Sequence, residues 1–303
     1  MDISYLRNAN IDKIKWDRCI HNSQNELIYA YSFYLDAMSE NWDALILGDY
    51  EIVMPLTWKK KYGIYYLYQP FFCASLGVFG NNLSAEIVRD FLNNVPAKFR
   101  YWDFYLNRNN LFSLSDFPMY ERNNFILPLN KNYEDLFSKY ATSHTRNIKR
   151  SRQAGNVVKK NIPINDVIEL AKEQSKTFSP ITDKDYKKFS KLFETLHEKN
   201  QAVTYGVYSS QNQLVASCAF VFSHERAYYI LVGNHPNGKT SGASHLMIDH
   251  FVQEYAGKNL ILDFEGSNIN TLAFFYKSFG SSLEKYPGIK LNRLPAIAKL
   301  FKQ

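Results

Sequence analysis

Residues 262–280 read LDFEGSNINTLAFFYKSFG, an apolar strand that meets a carboxylate and a glycine and then gives way to a helix crowded with aromatic side chains. If LILDFE is a strand, alternation puts Leu262 and Phe264 on one face and Asp263 and Glu265 on the other, so two carboxylates emerge together at its C-terminal end. The segments upstream complete a unit. TYGVYSSQNQLVASCAFVF, residues 204–222, reads as a β-hairpin; AYYILVGN, residues 227–234, follows as a strand, and residues 242–255 as a helix. Helices are predicted before the hairpin over residues 164–178 and 183–199.

The first half repeats this order. After predicted helices near residues 11–21 and 28–38, DALILGDYEIVMPLTW (43–58) alternates about a Gly-Asp turn as a hairpin does. GIYYLYQP (63–70) is a strand, residues 84–94 are a helix capped by Ser84, and RYWDFYLN (100–107) is another strand. Hairpin, strand, helix, strand occurs twice. The expectation is therefore a duplicated α/β (α+β) unit with a mixed sheet, divided into 1–140 and 141–303, with the joint in or beside a basic run near 130–160.

At 303 residues and 46% hydrophobic composition, each half can build a core. No apolar run approaches the ~20 residues that span a bilayer, and the N-terminus lacks a signal-peptide layout, so a soluble, cytoplasmic protein is expected. Cys19, Cys73 and Cys218 form no CxxC pair, which argues against a disulfide framework or a thiolate zinc site. His245, Asp249 and His250 share a helix but lack a third ligand of matching spacing, so no metal is expected. No GxSxG elbow supports a hydrolase. WKKKYGIYYLYQPFF mixes cations with aromatics as single-strand nucleic-acid binders do, although strand burial explains most of it.

Charge is uneven: residues 1–150 hold 17 Lys and Arg against 16 Asp and Glu, which leaves 19 and 13 of the chain's 36 and 29 for the rest. Much of the excess lies in KYATSHTRNIKRSRQAGNVVKK, residues 139–160, which contains no acid. Arg146 and Arg150, one helical turn apart, are candidate contacts to a phosphate-bearing substrate, the alternative being a solvated face.

The element order, together with the wording WDALILGDYEIVMPL, HTRNIKRSRQAG and DFEGS followed by FYKSFG, resembles the FemAB-like branch of the GNAT acyltransferase superfamily. The resemblance covers essentially the whole chain. It implies two tandem GNAT-like units, each a mixed, mostly antiparallel sheet flanked by helices. It also implies N-acyl transfer, with acetyl-CoA or another acyl-CoA as co-substrate and a small-molecule, peptide or amino-sugar amine as acceptor. Cofactor contacts are expected in HPNGKTSGASHLMIDH, where Lys239, Thr240, Ser241, Gly242, Ala243 and Ser244 bring a cation, hydroxyls and small residues to a helix start. Lys239, Gly242 and Ser244 stand at the three places of a degenerate form of the GNAT loop pattern. FFCASLGVFGNNLSAEIV in the first half has no basic residue before its helix, so the second unit is expected to hold the donor and the first to shape an acceptor cleft with Gln69.

Tyr276, four residues before Gly280, matches the tyrosine that in the family often protonates the departing CoA thiolate. On the residues alone, Phe274, Phe275, Tyr276 and Phe279 can equally be the packed face of a helix. Glu265 is a candidate base for the acceptor amine, or a partner of the turn or of a basic residue; Asp263 is a candidate substrate contact. Two other readings stay open. A Fem-type enzyme would take an aminoacyl group from charged tRNA, which the pI near 9.0 favours. A GNAT scaffold without catalysis would bind a partner instead.

Overall fold

In the computed structural model, residues 2–176 and 180–294 are described; Phe178, within the helix expected over 164–178, and the end of the second expected unit lie outside them. The elements in chain order are β1 (Ile3–Leu6), α1 (Lys13–Asn22), α2 (Ser32–Met38), β2 (Asn41–Leu47), β3 (Ile52–Lys61), β4 (Ile64–Tyr68), α3 (Ala85–Asn93), β5 (Phe99–Tyr105), β6 (Met119–Pro128), α4 (Tyr133–Phe137), α5 (Thr142–Gln153), β7 (Val157–Lys160), α6 (Ile164–Ser175), α7 (Asp183–Glu198), β8 (Ala202–Tyr208), β9 (Leu214–Ser223), β10 (Arg226–Asn234), α8 (Pro236–Ser241), α9 (Ala243–Tyr255), β11 (Ile261–Asp263), α10 (Asn270–Lys277) and β12 (Ser282–Asn292). Helix starts follow capping chemistry. Asp12 accepts from the Ile14 and Lys15 N–H groups, Ser84 from that of Ile87, and Thr182 closes a capping box with Asp185.

The chain forms two compact units, one from the described residues of Met1–Arg122 and Lys285–Gln303, the other from Asn123–Glu284. It therefore passes from one unit to the other at 122/123 and again at 284/285, not once near 140. In the first unit β1, β2, β3 and β4 are successive antiparallel neighbours, β4 and β5 are parallel, and β12 closes antiparallel on β5 with Gly288 opposite Tyr105. Helix α3 makes the crossover that a parallel pair requires. Leu45, Met54, Phe91, Trp102 and Ile289 meet in its core.

The second unit has the same order and sense. β7, β8, β9 and β10 are antiparallel neighbours, β10 and β11 are parallel, and β6 closes antiparallel on β11 with Pro128 opposite Ile261. Here α8 and α9 form the crossover. Ile148, Phe220, Phe251, Leu262 and Phe279 are core residues, with the Phe220 and Phe251 rings stacked at 4.0 Å between centroids. Each unit is thus a mixed, mostly antiparallel sheet flanked by helices.

The two parallel pairs differ in one respect. β4 is paired with β5 up to its last residue, Tyr68 opposite Asp103. Among the described residues, β10 pairs with β11 as far as Tyr228 opposite Asp263, and residues 229–234 continue with β9 as their one strand partner, with a bulge between Tyr229 and Leu231.

Candidate functional site

A cavity of about 310 Å3 in the second unit is lined by the part of β10 that β11 leaves uncovered. Tyr229, Val232 and Asn234 form the strand wall, and Ser244 and His245 come from α9. Thr271, Leu272, Phe275 and Tyr276 of α10 face them, with Gln174 of α6 and Gly238 and Lys239 of α8 completing the lining. Ligands of open α/β sheets bind in such crevices beyond the carboxyl ends of parallel strands. Lys239 is the charged member of the lining, and among the described residues it makes no ion pair.

Tyr276 is packed and open at once. Its ring stacks on Phe264 at 4.6 Å, while its hydroxyl has no hydrogen-bond partner among the described residues. Burial, and then the charge of Glu265, push its pKa well above the ordinary phenol value. Such a phenol keeps its proton at neutral pH and is a hydrogen-bond donor; complete transfer to a thiolate of ordinary basicity runs uphill. Glu265 is partly buried with φ of 64°, and Gly266 follows at 86°. The left-handed pair ends β11 at Asp263, so the alternation expected through Glu265 stops two residues early.

Asp263 is accordingly turned inward. It is 3% exposed, forms an ion pair with Arg226, accepts from Asn124 Nδ2 at 2.9 Å and accepts from the Glu265 N–H at 2.8 Å. Arg226 also reaches Glu284 at 3.3 Å. These partners leave Asp263 as a buried anchor of the turn and outside the cavity lining. Gln69 likewise serves its own unit: its Nε2 donates to the Cys73 carbonyl at 2.7 Å and its Oε1 accepts from the Tyr105 N–H at 3.0 Å.

The segment expected to be a cofactor loop is helical. Pro236 occupies the first turn of α8, and Gly242, with φ of 75°, joins it to α9. A Cβ on Gly242 would lie 2.5 Å from the carbonyl oxygen of Asn147, so this glycine serves close packing against α5. Ala243 is fully buried, Thr240 is exposed, and Ser241 Oγ accepts from Asn156 Nδ2 at 3.1 Å. Of the six candidates, the structure brings Lys239 and Ser244 to the cavity. The Ser244 hydroxyl donates to Asn234 Oδ1, and the Asn234 N–H donates to Gln174 Oε1 at 2.6 Å.

Behind α10 lies a pair of histidines that sequence patterns did not single out as a pair. Arg150 can only donate, and it donates to Asn147 Oδ1 at 2.9 Å. Asn147 Nδ2 therefore donates to His245 Nε2 at 3.0 Å, which puts the proton of the neutral ring on Nδ1. His144, 2% exposed, donates from Nε2 to the Phe275 carbonyl at 3.0 Å, leaving its Nδ1 bare. The rings lie 4.4 Å apart, and both Nδ1 atoms are buried without a hydrogen-bond partner among the described residues. Burial first, then the positive charge of His144 and Arg150, push His245 down to about 3; burial also lowers His144. The available signal was the spacing of His144 and Asn147, three residues apart on one helix, but their common partner is nearly a hundred residues away.

Among the described residues no cluster of His, Cys, Asp and Glu could hold a metal ion. No helix among them is long and apolar enough to cross a membrane.

No family model matches the chain, and no curated protein matches it in sequence. Solved structures do match in fold. FemX, 14% identical, aligns over 100% of both chains with a TM-score of 0.68. L-PGS from Bacillus licheniformis, 12% identical, aligns over 86% of this chain and 86% of its own with a TM-score of 0.52. A GCN5-related N-acetyltransferase from Sphaerobacter thermophilus, 10% identical, aligns over 97% of this chain and 96% of its own with a TM-score of 0.52. With the strand order repeated in both units and neighbours that align over 86% to 100% of the chain, the protein has the FemAB-like GNAT fold.

Proposed function

We propose that the chain is an N-acyltransferase whose donor, acetyl-CoA or another acyl-CoA, occupies the second unit. The observation that carries this reading is that, among the described residues, the edge of β10 beyond Tyr228 is left unpaired by β11 beside a Tyr276 hydroxyl without a hydrogen-bond partner. An extended chain with amide groups can pair with the free edge of a strand, and the thioester at its end would then reach the cavity. Lys239 would take a phosphate of the donor. In the reaction the acceptor nitrogen forms a bond to the acyl carbon, the carbon–sulfur bond breaks, and one proton leaves the amine while one reaches the thiolate. Glu265, which stands outside the cavity lining, is the candidate for accepting the first proton through water. Tyr276 would stabilise the developing negative charge by hydrogen bonding.

A neutral acyl group suits the cavity better than an aminoacyl group, since among the described residues that line it there is no Asp or Glu to hold an ammonium in place. The acceptor class is an amine on a small molecule, peptide or amino sugar. Thermal unfolding with acetyl-CoA, longer acyl-CoAs, CoA and charged tRNA in parallel tests the donor. A ligand at 100 times its Kd stabilises by about 2.7 kcal/mol. Stabilisation by acyl-CoA is expected; stabilisation by charged tRNA alone would move the reading to aminoacyl transfer, and by none of them to a scaffold without catalysis.

A further inference from the structure

Apart from the cavity, the second unit carries a shallow depression of about 600 Å3 along α4 and α5. Phe137 and Ile148 give it an apolar part, while Arg146, Lys149 and Arg152 bring three cations to it. No carboxylate lines it among the described residues. Arg146, Lys149 and Arg152 follow one another at three-residue spacing, so they stand along one stripe of α5. Arg150 does not join them, because its guanidinium is turned to Asn147.

The cation at the end of the stripe is held in place from below. Arg152 NH2 donates to Asp249 Oδ2 at 2.9 Å; that carboxylate is fully buried and also accepts from the Tyr133 hydroxyl at 2.8 Å. The Arg152 side chain is nevertheless 56% exposed, and a guanidinium has five N–H donors, so it keeps donors for a ligand after satisfying Asp249. Arg146 and Lys149 are exposed and make no ion pair among the described residues. The three cations span six residues of helix, roughly 9 Å at 1.5 Å per residue, which is longer than one phosphate needs. The partly buried Phe137 offers a ring beside them.

We propose that this depression binds the oligophosphate of a nucleotide, with the phosphates along Arg146, Lys149 and Arg152 and the base against Phe137. It lies outside the cavity lining and does not rest on the acyl-transfer reading. A nucleoside triphosphate and the adenine nucleotide of CoA share this chemistry, and competition distinguishes them.

The experiment titrates the full chain with a fluorescent N-methylanthraniloyl ATP, then displaces the probe with ATP, CoA, tripolyphosphate or tRNA. The double variant Arg146→Ala, Lys149→Ala removes two exposed cations, and Lys184→Ala, Lys191→Ala on α7 is the charge-matched control; thermal melts of each establish that it is folded. Expected are an affinity loss of about tenfold or more in the first variant, as two charge-assisted contacts imply, and a loss below about twofold in the control. Phe137→Leu is expected to weaken ATP more than tripolyphosphate. Displacement by CoA as strong as by ATP would assign the site to a CoA-type nucleotide, weaker displacement to a free one. No binding of the probe at millimolar concentration, equal losses in both double variants, or displacement by tRNA alone would overturn the proposal.

Discussion

Tyr276 combines a packed ring with a hydroxyl that has no hydrogen-bond partner among the described residues, and substitution can separate the two. Tyr276→Phe keeps the stack on Phe264, so the melting free energy should change by no more than a few tenths of a kcal/mol. Turnover should fall roughly 10²-fold if the hydroxyl serves the reaction. Once a panel of amines has yielded measurable acyl transfer, unchanged turnover would return Tyr276 to packing alone. Glu265→Gln should lose rate at neutral pH and recover part of it in alkaline buffer, where the acceptor amine deprotonates itself; a pH–rate profile parallel to wild type would exclude the base role. His245 gives a third test. It takes up a proton in the unfolded chain near its ordinary value of 6.5 and in the fold only near 3. Between those values the unfolded state binds the extra proton, so stability falls as pH drops through the window, by at most about 1.4 kcal/mol per pH unit for this site. His144 acts in the same direction. Denaturant midpoints near pH 7 and pH 5 should differ less in His245→Gln than in wild type, and an equal difference would mean that other groups carry the acid sensitivity.

Among the elements, Gly242 and Gly257 allow a paired prediction, since both have positive φ, 75° and 77°. A Cβ at Gly257 meets nothing within 4 Å, whereas at Gly242 it meets Asn147. Gly257→Ala should cost about 1–2 kcal/mol from the backbone alone, and Gly242→Ala distinctly more, because α5 and α9 must part. Equal costs in denaturant melts would mean that α5 yields at Asn147 without loss of stability. The same elements show what was legible in the sequence. The hairpins and the strand–helix–strand order follow from local alternation and turn residues, and both recur in the structure. The helical character of 236–241 was hidden by Asn237, Gly238 and Ser241, which favour turns in isolation. The inward role of Asp263 depends on Arg226, 37 residues away, a partner no local pattern reveals. Short β1 and β7 carry too few residues to declare a period. Of the site, Tyr276, Lys239 and Ser244 could be pointed to from motif position, while Gln174, Asn234 and His245 reach the cavity through tertiary packing.

For the molecule as a whole, the decisive feature is that the first unit takes its sixth strand, β12, from a distant part of the chain, whereas the second unit is a single continuous segment. Removing residues 285–303 deletes the stretch of β12 that pairs with β5, residues 288–292 opposite 101–105, while leaving 123–284 complete. Amide exchange in β5 should then accelerate strongly as that strand becomes an edge, and the first unit should melt earlier. Exchange in β8 and β9 should remain slow. A first unit that keeps its protection without β12 would show that five strands suffice. The arrangement also sets a timetable for synthesis, because a chain emerging from the ribosome meets its partners in order of sequence. The second unit begins later but is continuous, so its strands are all present when Glu284 has emerged; the first unit begins earlier and must wait with β5 uncovered until residues 288–292 follow. At roughly 5–20 residues per second, that wait over some 180 residues lasts about 10–40 s. During it, the exposed edge of β5 is the place where a nascent chain of this protein would be open to a chaperone or to a neighbouring copy.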